Sequence, residues 1–281
     1  MTPAMDVSHP EIADTVRRAL AEDIGSGDVT TNLCVSADAF ATGRMFSRQS
    51  LTLAGIELLP FIFENCRVRL PYSSGAHLDS GVEVAIVNGP ARILLTGERT
   101  ALNFVQRLSG IATLTKAYVD EVRGTGCRIL DTRKTTPGLR RLEKMAIVAG
   151  GAVNHRMGLY DAVLIKNNHI SAAGGVNAAL QRTRVGVRPD IKVEIEVRTL
   201  SELDEALACG ATLLLLDNLA PAEAKHWIEH IAGRAQVELS GGITLESVRA
   251  YAETGADFVS CGALTHSAPA ADLNFRLELN V

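Results

Sequence analysis

From Cys127 onward the chain alternates short apolar runs with amphipathic stretches, and each apolar run stops at a charged or small polar residue. CRIL (127–130) leads to GLRRLEKMAIVAGG, and AVLIKN (162–167) to a stretch containing VNAALQRTR. KVEIEV (192–197) leads to SELDEALACG, TLLLLDN (212–218) to PAEAKHWIEHIAG, and QVELSGG (236–242) to TLESVRAYAETG, with FVSCGALTH (258–266) closing the series. Apolar runs joined by helix-length segments pair in parallel through right-handed crossovers. Units of about 20–35 residues without a shared consensus fit the units of an α/β barrel and not a solenoid. Six strands are readable, so the barrel has fewer than eight strands or hides some. A doubly wound open sheet is the other architecture this pattern allows. Within the helices, Ser201 reads as an N-cap, Gly210 as a C-terminal stop and Pro221 as a first-turn residue.

The first hundred residues obey a different rule. HPEIADTVRRALAEDI (9–24) reads as a helix, and GSGDVTTN (25–32) as a turn with helix capping. ATGRMFSRQ, LTLAGI, VEVAIVNG and ARILLTG read as short strands separated by the turn signals SSGAH and NGP. This is α+β with antiparallel character, hence a separate N-terminal domain. ERTALNFVQRLSGIATLTKAYVDEVRG (98–124) reads as a long helix entering the barrel. The boundary falls near Ile111, giving an N-terminal α+β domain (1–111), a barrel (112–267) and a tail (268–281) expected to pack back on the N-terminal domain.

An aromatic fraction of 4% within a hydrophobic fraction of 47% means a core of Ala, Val, Ile and Leu, as buried parallel strands require. A net charge of −4 gives no bulk attraction for nucleic acid or anionic membrane. Five scattered cysteines without a C-x-x-C pair read as reduced thiols. MTPAMDVSHPEIAD has no basic or apolar export signal, and LTLAGIELLPFIF, interrupted by Glu57 and Pro60, is too short to span a bilayer. The expected location is the cytoplasm.

Against that acidic balance, Arg133, Lys134, His155, Arg156, Lys166 and His169 place six potential cations between Asp131 and His169. They suit an anionic substrate, since a carboxylate about 4 Å from a cation gains roughly 4 kcal/mol at an effective dielectric near 20. The later strands end in Glu196, Asp217, Ser240 and Gly262, and in parallel α/β folds such ends converge on one face. A polar residue after a strand is commonplace singly, but a carboxylate inside VEIEV is costly to bury. Glu194 lies two residues earlier on the same side; Glu196, nearer the strand end, is the candidate. Glu196 and Asp217 are suited to ribose hydroxyls or a Mg²⁺ ion. Ser240–Gly241–Gly242 and Cys261–Gly262–Ala263 offer main-chain N–H groups to a phosphate, although a Gly-Gly turn alone is often only a tight loop. His155 reads as a base or a substrate-contacting donor, and Lys166 as an anion ligand or a Schiff-base nucleophile. His226 and His230, at i, i+4 without a third ligand, read as surface residues.

DTRKTTPGLRRLEKMAIVAGGAVNHRMGLYDAVLIKNNHI resembles the signature region of quinolinate phosphoribosyltransferase, also called carboxylating nicotinate-nucleotide pyrophosphorylase. EDIGSGDVTT, GERTALNFVQRLSGIAT, VEIEV, LLLLDN, ELSGGI and FVSCGALTHS extend the resemblance over nearly the whole chain. It implies an N-terminal α/β sandwich and an incomplete, about seven-stranded TIM-like barrel, assembled as at least a head-to-tail dimer. It implies phosphoribosyl transfer from phosphoribosyl pyrophosphate to quinolinate with decarboxylation and Mg²⁺, giving nicotinate mononucleotide, pyrophosphate and CO₂. By motif match, Arg133, His155 and Arg156 with Lys134 would bind the two carboxylates, next to Thr132. Lys134 and Lys166 would also reach the diphosphate, and Glu196 and Asp217 the ribose and, directly or through water, the metal. The serine–glycine and cysteine–glycine turns would hold the 5′-phosphate. Lys134, Lys166, Glu196 and Asp217 are thus the catalytic candidates. Arg99 resembles the arginine that members insert into the neighbouring subunit's barrel. Ala152 and Asn167 depart from the family pattern without removing a charge. A paralogous transferase, a Schiff-base aldolase and a non-catalytic phosphometabolite binder are the alternatives.

Overall fold

In the computed structural model, residues 5–279 are described. Helix α1 (Pro10–Ile24) starts at His9, whose ring accepts the N–H of Glu11, and it buries Ile12, Thr15 and Val16. In α2 (Val29–Cys34) the Asp28 carboxylate accepts the N–H of Thr31 at 2.9 Å, an N-cap bond. Strands β1 (Phe40–Ser47) and β2 (Leu51–Thr52), helix α3 (Leu59–Ile62), and strands β3 (Arg67–Arg69), β4 (His77–Leu78) and β5 (Glu83–Pro90) come next. Helix α4 (Ala91–Glu121) begins directly after Pro90. ARILLTG is therefore helical, not a strand. Buried Ala91, Leu94, Ala101, Leu102, Val105, Leu108, Ile111 and Ala112 continue one stripe of helical spacing through it. LTLAGI is likewise extended only at Leu51–Thr52.

The remaining elements are β6 (Arg128–Leu130), α5 (Arg140–Ala149), β7 (Val163–Ile165), α6 (Asn167–Ala173), α7 (Val176–Gly186), β8 (Val193–Val197) and α8 (Leu200–Ala208). Then come β9 (Leu213–Asp217), α9 (Pro221–Ile231), β10 (Gln236–Ser240), α10 (Val248–Ala252), β11 (Phe258–Ser260), α11 (Ala263–His266) and β12 (Leu273–Leu279). The N-cap of α8 is Thr199, whose hydroxyl accepts the N–H of Glu202, and not Ser201. An N-cap needs extended backbone before the first turn, and Thr199 has it at φ −135°, ψ 154°.

Six strands form one parallel sheet in the order β6-β11-β10-β9-β8-β7, and Val153 adds a single parallel bridge to Leu130 outside β6. That bridge is the seventh position, reduced to one residue. Among the described residues no pairing joins Val153 to β7, so the barrel is incomplete. One sheet face carries Ile195, Val197, Leu214, Leu216, Val237, Leu239 and Val259, all buried. The alternation places Glu194, Glu196, Leu215, Glu238 and Ser260 on the other face.

A second sheet, β12-β1-β5-β3, is antiparallel, with β12 running along β1 from Ser47↔Leu273 to Ala41↔Leu279. Contacts divide the chain into two compact units. One holds the chain up to Lys116, Thr135–Gly151 and the residues from Leu264 on; the other holds Ala117–Lys134 and Ala152–Ala263. The boundary expected at Ile111 thus lies inside α4, whose apolar stripe does not break there, and α5 groups with the first unit. Arg107 explains that grouping. It donates to Glu143 (Nη2 to Oε1, 2.9 Å), to the carbonyl of Thr265 and to that of Ala268 (3.1 Å), tying α4, α5 and the segment before β12. Gly110 permits the crossing, because a Cβ there would run into the carbonyl of Pro269. No helix among the described residues is long and apolar enough to cross a membrane.

Glu143, 0% exposed, also accepts the N–H of Thr136 at 3.0 Å and its hydroxyl at 2.7 Å. Removing one partner of a buried ion pair leaves the other uncompensated. Glu143→Ala is expected to lower the unfolding free energy by about 3 kcal/mol in urea titrations, given that Arg107 is partly solvated.

Candidate active site

The basic side of the site is built on the loop after β6. Asp131, fully buried, accepts the N–H of His155 at 2.8 Å, so the strand end pins the segment that carries His155 and Arg156. Thr132 accepts the N–H of Lys134 at 3.0 Å, which folds the chain back just after Arg133. Arg156 donates to the carbonyl of Ala162 at 3.1 Å. Burial and then the positive charge of Arg133 hold its guanidinium below the ordinary arginine range. Two guanidiniums that oppose each other while partly desolvated are poised for an anion.

His155 turns inward. Its Nδ1 accepts the N–H of Arg156 at 2.7 Å, and its Nε2 lies 3.0 Å from Glu194 and 3.5 Å from Glu238. Burial, and after it the charge of Glu194, pushes the Glu238 carboxyl up to about 8. Both causes favour the protonated form of Glu238.

The acidic side lies on β8 and β9. Glu196, 5% exposed, receives Arg198 (Nη2 to Oε1, 3.1 Å) and Lys166 (Nζ to Oε2, 3.8 Å). Both acids of VEIEV face the same side, and Glu196 is the one that meets Lys166. The N–H of Lys166 donates to Nδ1 of His169 at 2.9 Å, so His169 closes the first turn of α6 and is not part of the cationic group. At the end of β9, the Asn218 amide donates to the Asp217 carboxylate at 2.6 Å. Asn218 is left-handed at φ 60°, and its N–H donates to the carbonyl of Ser240 at 2.8 Å. Gly241, at φ 108°, sits against Asn218 so closely that a Cβ would collide with the amide oxygen. The ends of β9 and β10 thus interlock and hold Asp217 beside Ser240, Gly241 and Gly242. Cys261 is buried, burial pushes its thiol up to about 12, and its N–H is spent on the carbonyl of Leu130 at 3.0 Å. Its main chain has no hydrogen left for a phosphate; Gly262 and Ala263, next in the chain, are half-buried.

Asp131, Arg198, Asn218 and Glu238 belong to this arrangement and are not singled out by pattern; Glu194, the alternative weighed against Glu196, belongs to it as well. Asp131 and Asn218 do sit next to strand-end candidates, and Arg198 lies two residues beyond Glu196 on the same side. Arg99 lies on α4, exposed, in the unit that does not contain these strand ends.

Models of the quinolinate phosphoribosyl transferase N-terminal and C-terminal domains match residues 28–109 and 111–276. The chain belongs to the quinolinate phosphoribosyl transferase family. It is 44% identical over 274 residues to a carboxylating nicotinate-nucleotide pyrophosphorylase of Mycobacterium leprae, covering 94% of this chain and 96% of that protein. A probable enzyme of the same name from Bacillus subtilis is 38% identical over 280 residues, covering 98% and 96%. Among solved structures, NadC from Streptococcus pyogenes superposes with a TM-score of 0.93 at 37% identity, covering 98% of this chain and 99% of that one. The family fold, an N-terminal sheet domain with an incomplete barrel, is the fold of this chain.

The lock between the ends of β9 and β10 has a direct test. Gly241→Ala forces both a strained φ and displacement of Asn218, and is expected to cost about 1–3 kcal/mol of stability by thermal melting. Gly242→Ala, positive in φ but with nothing near its Cβ, should cost less.

Proposed function

We propose that the strand-end group is the site at which this enzyme transfers phosphoribose from phosphoribosyl pyrophosphate to the ring nitrogen of quinolinate, with loss of CO₂. The products are nicotinate mononucleotide, pyrophosphate and CO₂, a step of de novo NAD biosynthesis. Family membership supports the reaction, and the observation that carries the site is the pair of opposed guanidiniums of Arg133 and Arg156. Quinolinate is a dianion whose two carboxylates match these arginines, with Lys134 beside them. His155, whose ring nitrogens are both engaged within the protein, supports that grip from below instead of contacting a carboxylate.

Lys134 and Lys166 serve the diphosphate. Glu196 and Asp217 face the ribose, where a carboxylate stabilises the oxocarbenium character that C1 gains as pyrophosphate leaves. Ser240, Gly241 and Gly242, with Gly262 and Ala263, supply N–H groups for the 5′-phosphate. Once alkylated, the pyridinium nitrogen stabilises the carbanion left by CO₂ loss. The protein's contribution is positioning and neutralisation, and no covalent nucleophile is required. Lys166, paired with Glu196 and beside the expected diphosphate, is better used as a cation than as a Schiff-base amine.

Mg²⁺ completes the charge balance of the donor. Asp217 fits it, as a half-buried carboxylate with one oxygen not engaged by Asn218. Glu196 fits less well, because each of its oxygens already faces a cation. When bound, the ion neutralises diphosphate oxygens as the leaving group departs.

Arg99 is assigned to the site of a neighbouring copy in a homodimer. Arg92, Thr96 and Arg99 share one face of α4, and Arg92 and Thr96 hold α2 and its cap Asp28 there. Val29 and Leu33 of α2 are 70% and 82% exposed, an apolar surface suited to a second copy. Five free cysteines fit the reducing cytoplasm.

Quinolinate absorbance is expected to fall only when phosphoribosyl pyrophosphate and Mg²⁺ are both present, with matching CO₂ release. Arg133→Ala should raise the quinolinate KM about 30-fold, the loss of a charge-assisted bond, while the donor KM shifts less than about threefold. Equal shifts would remove Arg133 from the carboxylate role. Arg99→Ala and Lys166→Ala, each inactive alone, should regain up to about a quarter of wild-type activity when mixed, the share of restored sites in randomly reassorted dimers. Absence of rescue after demonstrated subunit exchange rules out a shared site.

A further inference from the structure

His155, Glu194 and Glu238 form a buried group to which the phosphoribosyl transfer assigns no step. The geometry assigns its hydrogens. An imidazole that accepts at Nδ1, as His155 does from the N–H of Arg156 at 2.7 Å, carries its own hydrogen on Nε2. The 3.0 Å contact with Glu194 is therefore N–H donating to Oε2, which makes Glu194 the acceptor. Its other oxygen, Oε1, is buried and meets no donor unless Glu238 carries a hydrogen. Glu238, 2% exposed and in hydrogen-bond contact with Glu194, is the residue able to supply it. Two carboxylates this close in a dry interior do not both ionise. One hydrogen between them satisfies the orphaned oxygen and removes the excess charge.

We propose that Glu194 and Glu238 are positioning residues: through one shared hydrogen they hold His155 in its neutral, Nε2-protonated form. His155 Nδ1 then fixes the main chain from which Arg156 reaches the dicarboxylate. This rests on the reading that Arg156 binds quinolinate. The trio has the spacing to hold a metal ion. The Nδ1 bond argues against one, since a metal on Nε2 would leave both ring nitrogens without hydrogen beside two acids.

Around Glu238, burial and the charge of Glu194 favour the hydrogen, and they outweigh His155 and the Ser260 hydrogen bond, which oppose it. Glu194 faces it from β8 and His155 from the loop before β7. Leu215 of β9 brings no charge, and Ser260 at the end of β11 donates a hydrogen bond to it. The Cys261 thiol, pushed up to about 12, stays neutral. When Glu238 ionises, a second negative charge appears 3.5 Å from His155, under a pocket that must hold a dianion.

The test uses the full-length enzyme and two variants. Glu238→Gln keeps a hydrogen donor toward Glu194 at every pH and an acceptor for Ser260; Glu238→Leu removes both. For the wild type, the quinolinate KM is expected to rise about tenfold between about pH 7 and 9, with a smaller change in kcat. Glu238→Gln should stay within about threefold of wild type near pH 7 and lose most of that alkaline rise. Glu238→Leu should raise the quinolinate KM about tenfold near pH 7, leaving the donor KM within about threefold. If Gln is as damaging as Leu, or keeps the wild-type profile, the shared hydrogen is refuted. Stoichiometric zinc in purified wild type that disappears in Glu238→Gln overturns the proposal in favour of a metal site.

A substrate-free measurement separates this idea from the functional reading. An acid whose folded pKa is raised stabilises the fold below its ordinary value and loses that contribution as pH climbs to the raised one. The urea midpoint of wild type should fall more than that of Glu238→Gln between about pH 5 and 8. Equal slopes refute the shared hydrogen whether or not quinolinate is turned over. A steeper wild-type slope in an enzyme without quinolinate turnover removes the substrate assignment instead.

Discussion

Three carboxylates buried on one face of a parallel sheet are the constraint around which the rest of the site is arranged. Glu194, Glu196 and Glu238 are 4%, 5% and 2% exposed. Isolated charges at such depth are untenable, so each needs a cation, a donor or a proton. Glu196 has Lys166 and Arg198, Glu194 has His155, and Glu238 keeps its hydrogen. Those solutions draw basic groups to the strand ends. Arg133 and Arg156 oppose each other there, a repulsion that a bound anion would relieve.

This arrangement sorts what is legible in the amino-acid sequence from what is not. The barrel strands can be read because both faces are buried and each run terminates abruptly in polarity. Lys166, Glu196 and Asp217 stand at those terminations. ARILLTG reads as a strand because three apolar residues in a row, Ile93 to Leu95, carry no period. Only the continuation to Ala101, Val105 and Leu108 reveals helical spacing, and Pro90, which cannot extend a ladder, marks where the change occurs. Thr199 and Ser201 are equally good capping residues by type. Backbone conformation chooses between them.

The contribution of Glu238 is invisible in the sequence for a topological reason. It lies on β10 and Glu194 on β8, with β9 between them, so the two acids meet across a whole strand. No local spacing encodes such a meeting. In sequence Glu238 is one acid in an alternating strand, the pattern of a solvent-facing position. Its burial on the inner face of the sheet makes it the opposite. Asp131 is a milder case, since its place after CRIL is plain but its partner, the N–H of His155, is 24 residues away.

His155 shows most clearly how environment overrides residue type. Counted by sequence, it belongs with the cations, beside Arg156 and near Lys166. In the fold its Nδ1 is an acceptor, which a protonated imidazole cannot be, so the ring is neutral. A neutral histidine suits this pocket better than a charged one would. Added to Arg133 and Arg156, a third positive charge would increase their mutual repulsion before substrate arrives and would hold an anionic product more firmly after CO₂ has left. A neutral ring linked to Glu194 stiffens the loop without adding charge. On the proposed reading, the buried acids set the geometry of the grip and the two arginines its strength.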